Sequence, residues 1–332
     1  MCIRDSPLHI EDIWQSLYRN GCYRGGPVLM SAISGIDMAL WDIKGRYYGA
    51  PVYALLGGPV RNKIKTYCWI GGDRPENLVD QALELQKRGY SAAKMNVCAE
   101  LQIVDSLAKI DQIVAQLSEL RDAVGREMDL ALDFHGRVHA PMAKILLQEL
   151  EPIRPYFVED AVVSTQVDMM SELARSTSIP LVIGERLYSR YDFKQVFEKR
   201  AASIVNPDPA HVGGISEMVR IGAWAEAYDV ALAPHCPLGP IALAACLQVD
   251  ATCYNAFIQE QSLGIHYNQG SDLLDYVSSE AGFTYEKGYL AIPERPGLGI
   301  EVNEPVVEKM AQEGHRWRAP VWRHDDGSIS EW

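Results

Sequence analysis

One alternation runs through most of the sequence and limits what the chain can fold into. From Ile64 to Gln261, short runs rich in β-branched and aromatic residues alternate with longer segments whose apolar residues recur every three or four positions. Eight such repeats in about 200 residues predict an α/β fold, a parallel (β/α)8 barrel of the TIM type. A doubly wound sheet would also alternate, but it usually has fewer strands, and no GxGxxG motif follows the first strand here. The predicted strands are Ile64–Ile70, Ser91–Asn96, Met128–His135, Tyr156–Asp160, Ile179–Glu185, Ser203–Asp208, Val230–His235 and Asn255–Gln261.

Two flanking segments do not continue this alternation. We expect residues 1–60 to be helical and to form part of a cap, and residues 61–262 to form the catalytic barrel. Residues 263–332 are rich in Gly, Pro, Trp and turn signals, and we expect them to pack on the barrel and the cap without adding a β/α unit.

The net charge and the cysteine content indicate which binding partners and which cellular compartment are expected. A net charge of −13 disfavours nucleic acid as a partner, and the absence of an apolar run of about 18 residues predicts no membrane span. The seven cysteines are odd in number and form no CxxC pair, which disfavours a disulfide framework and a zinc site. The first six residues contain no apolar segment of a signal peptide. We therefore expect a reducing, cytoplasmic location.

An ionisable residue ends each predicted strand from the third onward. The active site of a barrel of this kind lies at the carboxyl ends of its strands. Successive members of the series are 26, 26, 23, 27 and 25 residues apart, about one β/α unit each, so we expect them on neighbouring strands around one mouth. They are Asp133, Glu159, Glu185, Asp208, His235 and Glu260.

The first three members of this series are carboxylates on adjacent predicted strands. Packed together without a cation, they would repel one another and some would take up protons. A hard divalent ion such as Mg²⁺ resolves this, because it prefers carboxylate oxygens and leaves positions for water or substrate. The alternative is that each acid separately caps a helix or pairs with a base. Asp133, Glu159 and Glu185 are the predicted metal ligands.

Two histidines are candidate proton-transfer groups. His235 follows a predicted strand beside that of Asp208, and a neighbouring carboxylate orients an imidazole and strengthens it as a base. His135 lies two residues after Asp133, so on a continuous strand its side chain points the same way as that of the predicted ligand. We expect the other six histidines, including His139 and His211, to have structural roles.

These groups together describe one reaction. The metal would bind a substrate carboxylate and stabilise the dianion formed when the adjacent carbon loses its proton. His235, with Asp208, would remove that proton, and His135 would protonate a leaving hydroxyl. Glu260 would hydrogen-bond the developing enediolate if it is protonated or acts through a donor partner. The predicted reaction is β-elimination of water from a 2,3-dihydroxy acid.

Several segments resemble the mandelate-racemase-like branch of the enolase superfamily. The resemblance runs from about Ile10 to the C-terminus, and its last two motifs are the most specific. The segments are SAISGIDMALWDIKG (31–45), LDFHGR (132–137), GER (184–186), APHCPLGP (233–240) and QEQSLGIHYN (259–268).

The resemblance implies a barrel with a capping domain and the activity of an acid-sugar dehydratase, with galactonate favoured over other sugar acids. It implies Asp133, Glu159 and Glu185 as Mg²⁺ ligands, and the catalytic roles already inferred for His235, Asp208, His135 and Glu260. It also implies a small-molecule sugar acid as the substrate, a 2-keto-3-deoxy acid as the product and a homo-oligomer.

One position separates dehydration from racemisation. Racemases of this branch commonly carry a second base, the latter lysine of a Lys-x-Lys motif on strand two. Here the segment reads Lys94-Met95-Asn96, and Asn96 cannot take up a proton at neutral pH. A single base fits dehydration better, and we expect Asn96 to bind substrate.

Two departures from the family pattern bear on the site. Glu159-Asp160-Ala161 stands where the family usually has Glu-Glu-Pro, and we expect a looser loop there. The family's roughly fifty additional N-terminal residues, which carry cap strands and a lid loop, are not in this sequence, so we expect a truncated cap with exposed apolar surface. The alternatives are a dehydratase for another sugar acid, a truncated barrel that binds metal without turnover, and a metal-dependent aldolase.

Overall fold

Strands and helices alternate along the chain in the computed structural model, which describes residues 6–262, 273–278, 283–314 and 318–331. The helices are α1 (Ile10–Arg19), α2 (Pro27–Tyr48), α3 (Val52–Leu55), α4 (Leu78–Lys87), α5 (Leu107–Val124), α6 (Ala140–Leu150), α7 (Val167–Ser176), α8 (Arg190–Lys199), α9 (Gly214–Ala227), α10 (Pro240–Thr252) and α11 (Glu304–Glu313). The strands are β1 (Lys63–Trp69), β2 (Ala92–Asn96), β3 (Asp129–Asp133), β4 (Phe157–Glu159), β5 (Leu181–Ile183), β6 (Ile204–Val205), β7 (Ala231–Leu232), β8 (Gln259–Gln261), β9 (Tyr285–Glu286) and β10 (Tyr289–Ala291). Within these ranges, no helix has both the length and the apolar content needed to cross a membrane.

These elements form two compact units. The first contains residues 1–66, 184–193 and 206–315, and the second contains residues 67–183, 194–205 and 316–332.

The second unit is built on parallel strands that pair in sequence order. The end of β1 pairs with β2, and β2 to β6 continue the ladder, each strand beside the next. All residues of β2, β4 and β5 are buried, which is typical of a parallel sheet covered on both faces. The helices between the strands bury one apolar face. In α5 this face comprises Ile110, Ile113, Leu117, Leu120 and Val124.

In the first unit, an apolar cluster joins α1 to α2, and a buried hydrogen bond joins α1 to the residue before α9. Trp14 and Tyr18 of α1 pack with Met30 and Ile33 of α2. The indole N–H of Trp14 donates to the Gly213 carbonyl at 2.8 Å, just before α9 begins. Burying this apolar surface stabilises the unit, and the hydrogen bond satisfies the indole where water cannot reach it.

The same unit contains parallel and antiparallel pairings. Leu232 of β7 forms a parallel bridge with Ala256, shortly before β8. The start of β1 pairs antiparallel with β10, which forms a hairpin with β9. The described part of segment 263–332 thus contains a hairpin and a helix. Its residues 263–272, 279–282, 315–317 and 332 lie outside the described residues.

Strands β2 to β8 are shorter than the sequence predicts, and the residues after β5, β6 and β7 do not favour a longer strand. After β5, Gly184 runs so close to Asn206 that a Cβ would stand 2.9 Å from the Asn206 backbone nitrogen. Proline follows soon after β6 and β7, at Pro207 and Pro234, and cannot donate to a ladder. Glu185 therefore lies in a loop after its strand, as Asp208 and His235 do. Asp133 and Glu159 are the last residues of their strands, and Glu260 lies within β8.

A buried carboxylate between α2 and α9 gives the first unit a pH-dependent stability. Burial raises the pKa of Asp37 to about 6, although its hydrogen bonds from Ser216 act in the opposite direction. An acid whose pKa is raised by folding contributes most stability below its unfolded pKa, and that contribution is lost as pH rises through the folded value.

We expect ionisation of Asp37 to lower the free energy of unfolding by about 1 kcal/mol as the pH rises from 5 to 7. Urea unfolding of the wild type and of Asp37→Asn at both values measures this slope. The asparagine variant should lack it. Equal slopes in the two proteins would show that Asp37 titrates normally.

Candidate active site

Two of the predicted metal ligands lie side by side in the second unit. Asp133 and Glu159 end the paired strands β3 and β4 and are opposite each other in the register. Each is 1% exposed. The Lys94 ammonium of β2 lies 2.6 Å from Glu159 Oε2 and 3.3 Å from Asp133 Oδ2. The buried lysine balances the two carboxylates, which would otherwise repel each other.

The donor set of this pair fits a hard divalent ion. Both side chains offer only carboxylate oxygens, and a cation already compensates them where water is scarce. Mg²⁺ prefers such oxygens over nitrogen or sulfur ligands.

The predicted strand that includes His135 is too long. Strand β3 ends at Asp133, and His135 has a φ of +51°, in the left-handed region. The alternation of side chains along a strand therefore does not extend to it. Its backbone N–H donates to Asp133 Oδ1 at 2.7 Å, so the turn that contains His135 is tied to the predicted ligand.

Asn96, the predicted substrate-binding residue, is buried at the end of β2. Its amide nitrogen donates to the Asp73 carbonyl at 2.9 Å, and Arg137 donates to the same carbonyl at 2.5 Å. The substrate-binding role of Asn96 stays a prediction.

The first unit contains the predicted base and its partner. Asp208 Oδ2 lies 2.8 Å from His235 Nδ1, and Asp208 Oδ1 accepts from the Ala210 N–H at 2.7 Å. Glu185 Oε2 lies 2.8 Å from His235 Nε2, and Arg186 pairs with the other Glu185 oxygen at 3.1 Å. The imidazole is thus held between two carboxylates.

The charge around His235 strongly favours its imidazolium form. Burial alone would lower the pKa of His235, but Glu185, Glu260 and the hydrogen bond that Nδ1 donates to Asp208 outweigh it and raise the pKa well above its ordinary value. Both ring nitrogens therefore carry protons at neutral pH when Glu185 has no other cation beside it.

Glu260 lies beside this histidine without a close ionic bond to it. Its Oε2 accepts from the Cys236 N–H at 2.9 Å and is 3.8 Å from His235 Nε2. Glu260 is 1% exposed. Within the first unit, the structure thus brings together four of the predicted residues, namely Glu185, Asp208, His235 and Glu260.

Sequence reasoning missed the role of Lys94. A lysine inside an otherwise apolar strand was the available signal, since a buried ammonium requires acidic partners.

The departure from the family pattern at Asp160 produces no exposed loop. Asp160 has a φ of +43°, a conformation that aspartate tolerates, and Asp160, Ala161 and Val162 are at most 2% exposed. The expected loosening of this loop stays a prediction.

Two domain families match the chain. Residues 77–306 match the family described as enolase C-terminal domain-like, and residues 1–57 match the mandelate racemase / muconate lactonizing enzyme N-terminal domain. The chain belongs to the enolase superfamily. The resemblance seen in its motifs is confirmed.

The chain is also similar to individual members of this superfamily. It is 54% identical to a D-galactonate dehydratase of Ralstonia pickettii (strain 12J), over 99% of this chain and 86% of the relative. It is 53% identical to a D-galactonate dehydratase of Pectobacterium atrosepticum over the same shares. A crystal structure of an enolase from Agrobacterium radiobacter, with Na and L-malate bound, has a TM-score of 0.89 at 30% identity, over 98% of this chain and 85% of that one.

These comparisons confirm the expected fold class, a (β/α)8 barrel of the enolase-superfamily type with a capping domain. They also support a divalent metal ion as the cofactor, because enzymes of this superfamily use such ions.

Replacing Lys94 tests the charge balance of the buried acids. In Lys94→Met, Asp133 and Glu159 lose the shared ammonium, and breaking a buried ion pair of this kind costs roughly 3–5 kcal/mol. We expect a lower melting temperature in EDTA, and a larger rise on adding Mg²⁺ than in the wild type. Differential scanning calorimetry with and without Mg²⁺ measures both effects.

Lys194→Met is the matched control, because Lys194 pairs with Glu198 on the surface with 59% of its side chain exposed. Such a pair contributes roughly 0–1 kcal/mol. Equal effects of the two substitutions would contradict the role assigned to Lys94.

Proposed function

We propose that this chain catalyses the Mg²⁺-dependent dehydration of D-galactonate to 2-dehydro-3-deoxy-D-galactonate, as a hydro-lyase. One observation carries the proposal: His235 is held by Asp208 at Nδ1 and faces Glu185 at Nε2. It does so in a chain more than half identical to D-galactonate dehydratases of Ralstonia and Pectobacterium. A histidine oriented in this way is a general base for removing a proton next to a carboxylate.

Asp133, Glu159 and Glu185 are the proposed Mg²⁺ ligands. Family membership and the oxygen-only donor set support this assignment. A bound divalent ion would supply positive charge for the substrate carboxylate and for the negative charge that develops on it. Lys94 places a positive charge beside the Asp133 and Glu159 carboxylates.

The protein's own side chains move the protons. His235 keeps Nδ1 on Asp208 and takes the C2 proton at Nε2. The C2–H bonding electrons first pass into the carboxylate to give an enediolate intermediate. The enediolate electrons then form a C2=C3 double bond as the C3–O bond breaks, and His135 protonates the leaving hydroxyl, so that water departs. The enol product then becomes the 2-keto acid. Glu260 stabilises the intermediate, and Asn96 binds the substrate.

The remaining parts of the proposal concern location and assembly. We propose a cytoplasmic, homo-oligomeric enzyme whose partner is a small sugar acid, and which binds neither membrane nor nucleic acid. The cysteines within the described ranges are free thiols, which fits a reducing compartment.

A substrate panel tests the proposed function. Keto-acid formation is measured for D-galactonate and other sugar acids, with Mg²⁺ and with EDTA, on protein whose folding is verified by circular dichroism. We expect Mg²⁺-dependent turnover with D-galactonate as the preferred substrate. Preference for another sugar acid would show that the assigned substrate is wrong. Retro-aldol products would show that the reaction is aldol cleavage and not dehydration. Folded protein that turns over none of these acids would contradict the function.

Two histidine variants separate the proton-transfer steps. His235→Asn should abolish exchange of the C2 proton with solvent deuterium, because it removes the base. His135→Asn should stop loss of water and still permit that exchange, because deprotonation comes first. Proton NMR of the substrate in D₂O follows both reactions. Normal dehydration by His135→Asn would show that His135 is not the acid.

A further inference from the structure

A cavity beside Glu185 has no role in the chemistry described so far. Its volume is about 290 Å³, close to the lower limit for small-molecule pockets. It lies within the first unit, between the start of α2 and the loops after β5 and β6. It is lined by Pro27, Val28, Ser31, Glu185, Tyr188 and His211. Val28 is 85% exposed, so the cavity opens to solvent on the α2 side.

The loop that orients the base also fixes His211. Asp208, the partner of His235, begins a turn in which its carbonyl accepts the N–H groups of His211 and Val212 at 3.0 and 2.8 Å. Glu185 touches His235 through Oε2 and also lines the cavity. Glu185 is therefore shared by the cavity and the surroundings of the base.

The hydrogen bonds of Ser31 determine the tautomer of His211. Ser31 Oγ donates its single hydrogen to the Pro27 carbonyl at 2.5 Å, and it lies 2.7 Å from His211 Nδ1. Because that hydrogen is already used, the neutral ring must donate Nδ1–H to Ser31 Oγ. Nε2 then has no hydrogen and presents a lone pair, which can only accept.

We propose that this cavity binds the distal hydroxyl groups of the substrate, and that His211 Nε2 accepts a hydrogen bond from one of them. The inference rests on the proposed function and extends it to the selection among sugar acids. His211 is thus a specificity-determining residue rather than a structural one.

The chemistry of the lining matches a polyol chain. The Ser31 and Tyr188 hydroxyls and the His211 imidazole can each bond hydroxyl groups, while Val28 and Pro27 offer apolar contacts to C–H groups. Burial raises the pKa of Tyr188, so its hydroxyl keeps its proton. The Glu185 carboxylate disfavours a second anionic group here.

Steady-state kinetics of His211→Asn test the proposal. Asparagine keeps a nitrogen near the position of Nδ1 and removes Nε2. The substrates are D-galactonate, its C4 epimer D-gluconate, and the four-carbon acid that keeps the C2 and C3 configuration but lacks the distal carbons. We expect kcat/KM for D-galactonate to fall roughly tenfold, and that for the four-carbon acid to stay unchanged. We also expect the preference for D-galactonate over D-gluconate to change.

The control variants separate this loss from damage to the fold. His139→Asn makes the same substitution at a partly buried histidine before α6 and should leave all three values unchanged. His211→Gln places a polar atom near the position of Nε2 and should restore part of the D-galactonate value. If His211→Asn lowers kcat/KM equally for the four-carbon acid and D-galactonate, or for neither, the proposal is overturned.

Nitrogen-15 NMR of the histidine rings tests the tautomer without turnover. We expect His211 as the Nδ1–H tautomer at pH 8, with an Nε2 resonance that shifts when D-galactonate is added to His235→Asn. An Nε2–H tautomer, or no shift on saturation, would contradict the proposal. Wild-type protein that dehydrates none of the acids refutes the proposed function itself. Wild-type dehydration with unaltered selectivity in His211→Asn refutes only this inference.

Discussion

A carboxylate withdrawn from water needs a cation or several hydrogen-bond donors, and this requirement governs the strand ends of the chain. Lys94 balances Asp133 and Glu159 in the second unit. In the first unit, His235 lies between Glu185 and Asp208, and Glu185, Glu260 and the hydrogen bond to Asp208 raise the pKa of His235 in spite of its burial. Each of the three proposed metal ligands therefore lies beside a basic side chain of the protein itself.

The backbone places Glu185, Asp208 and His235 in loops that follow their strands. After β5, Gly184 passes so close to Asn206 that a side chain would not fit, and Glu185 follows at once. After β6, the carbonyl of Asp208 accepts two N–H groups of the following turn, which fixes the carboxylate that orients the base and carries His211 to the cavity. The proposed base and the proposed selectivity residue thus depend on one short loop, and we expect changes in that loop to affect both.

The regular part of this arrangement is predictable from the sequence, because periodicity and unit spacing are local signals. The spacing places Asp133 and Glu159 on adjacent strands, where the structure finds them. The predicted third strand extends too far, to His135, because a residue in the left-handed conformation ends the alternation there. Lys94 and His211 depend on contacts between elements distant in sequence, which no local pattern encodes.

The proposed function depends on one metal ion, for which Asp133, Glu159 and Glu185 are the proposed ligands. Calorimetric titration of Mg²⁺ into Asp133→Asn, Glu159→Gln and Glu185→Gln tests it most directly, with Glu260→Gln as the comparison, because Glu260 is buried in the first unit but is not a proposed ligand. We predict that each of the three variants binds Mg²⁺ at least about tenfold more weakly than the wild type, while Glu260→Gln stays within a few-fold. Wild-type affinity in any of the three would remove that residue from the metal site and contradict the account.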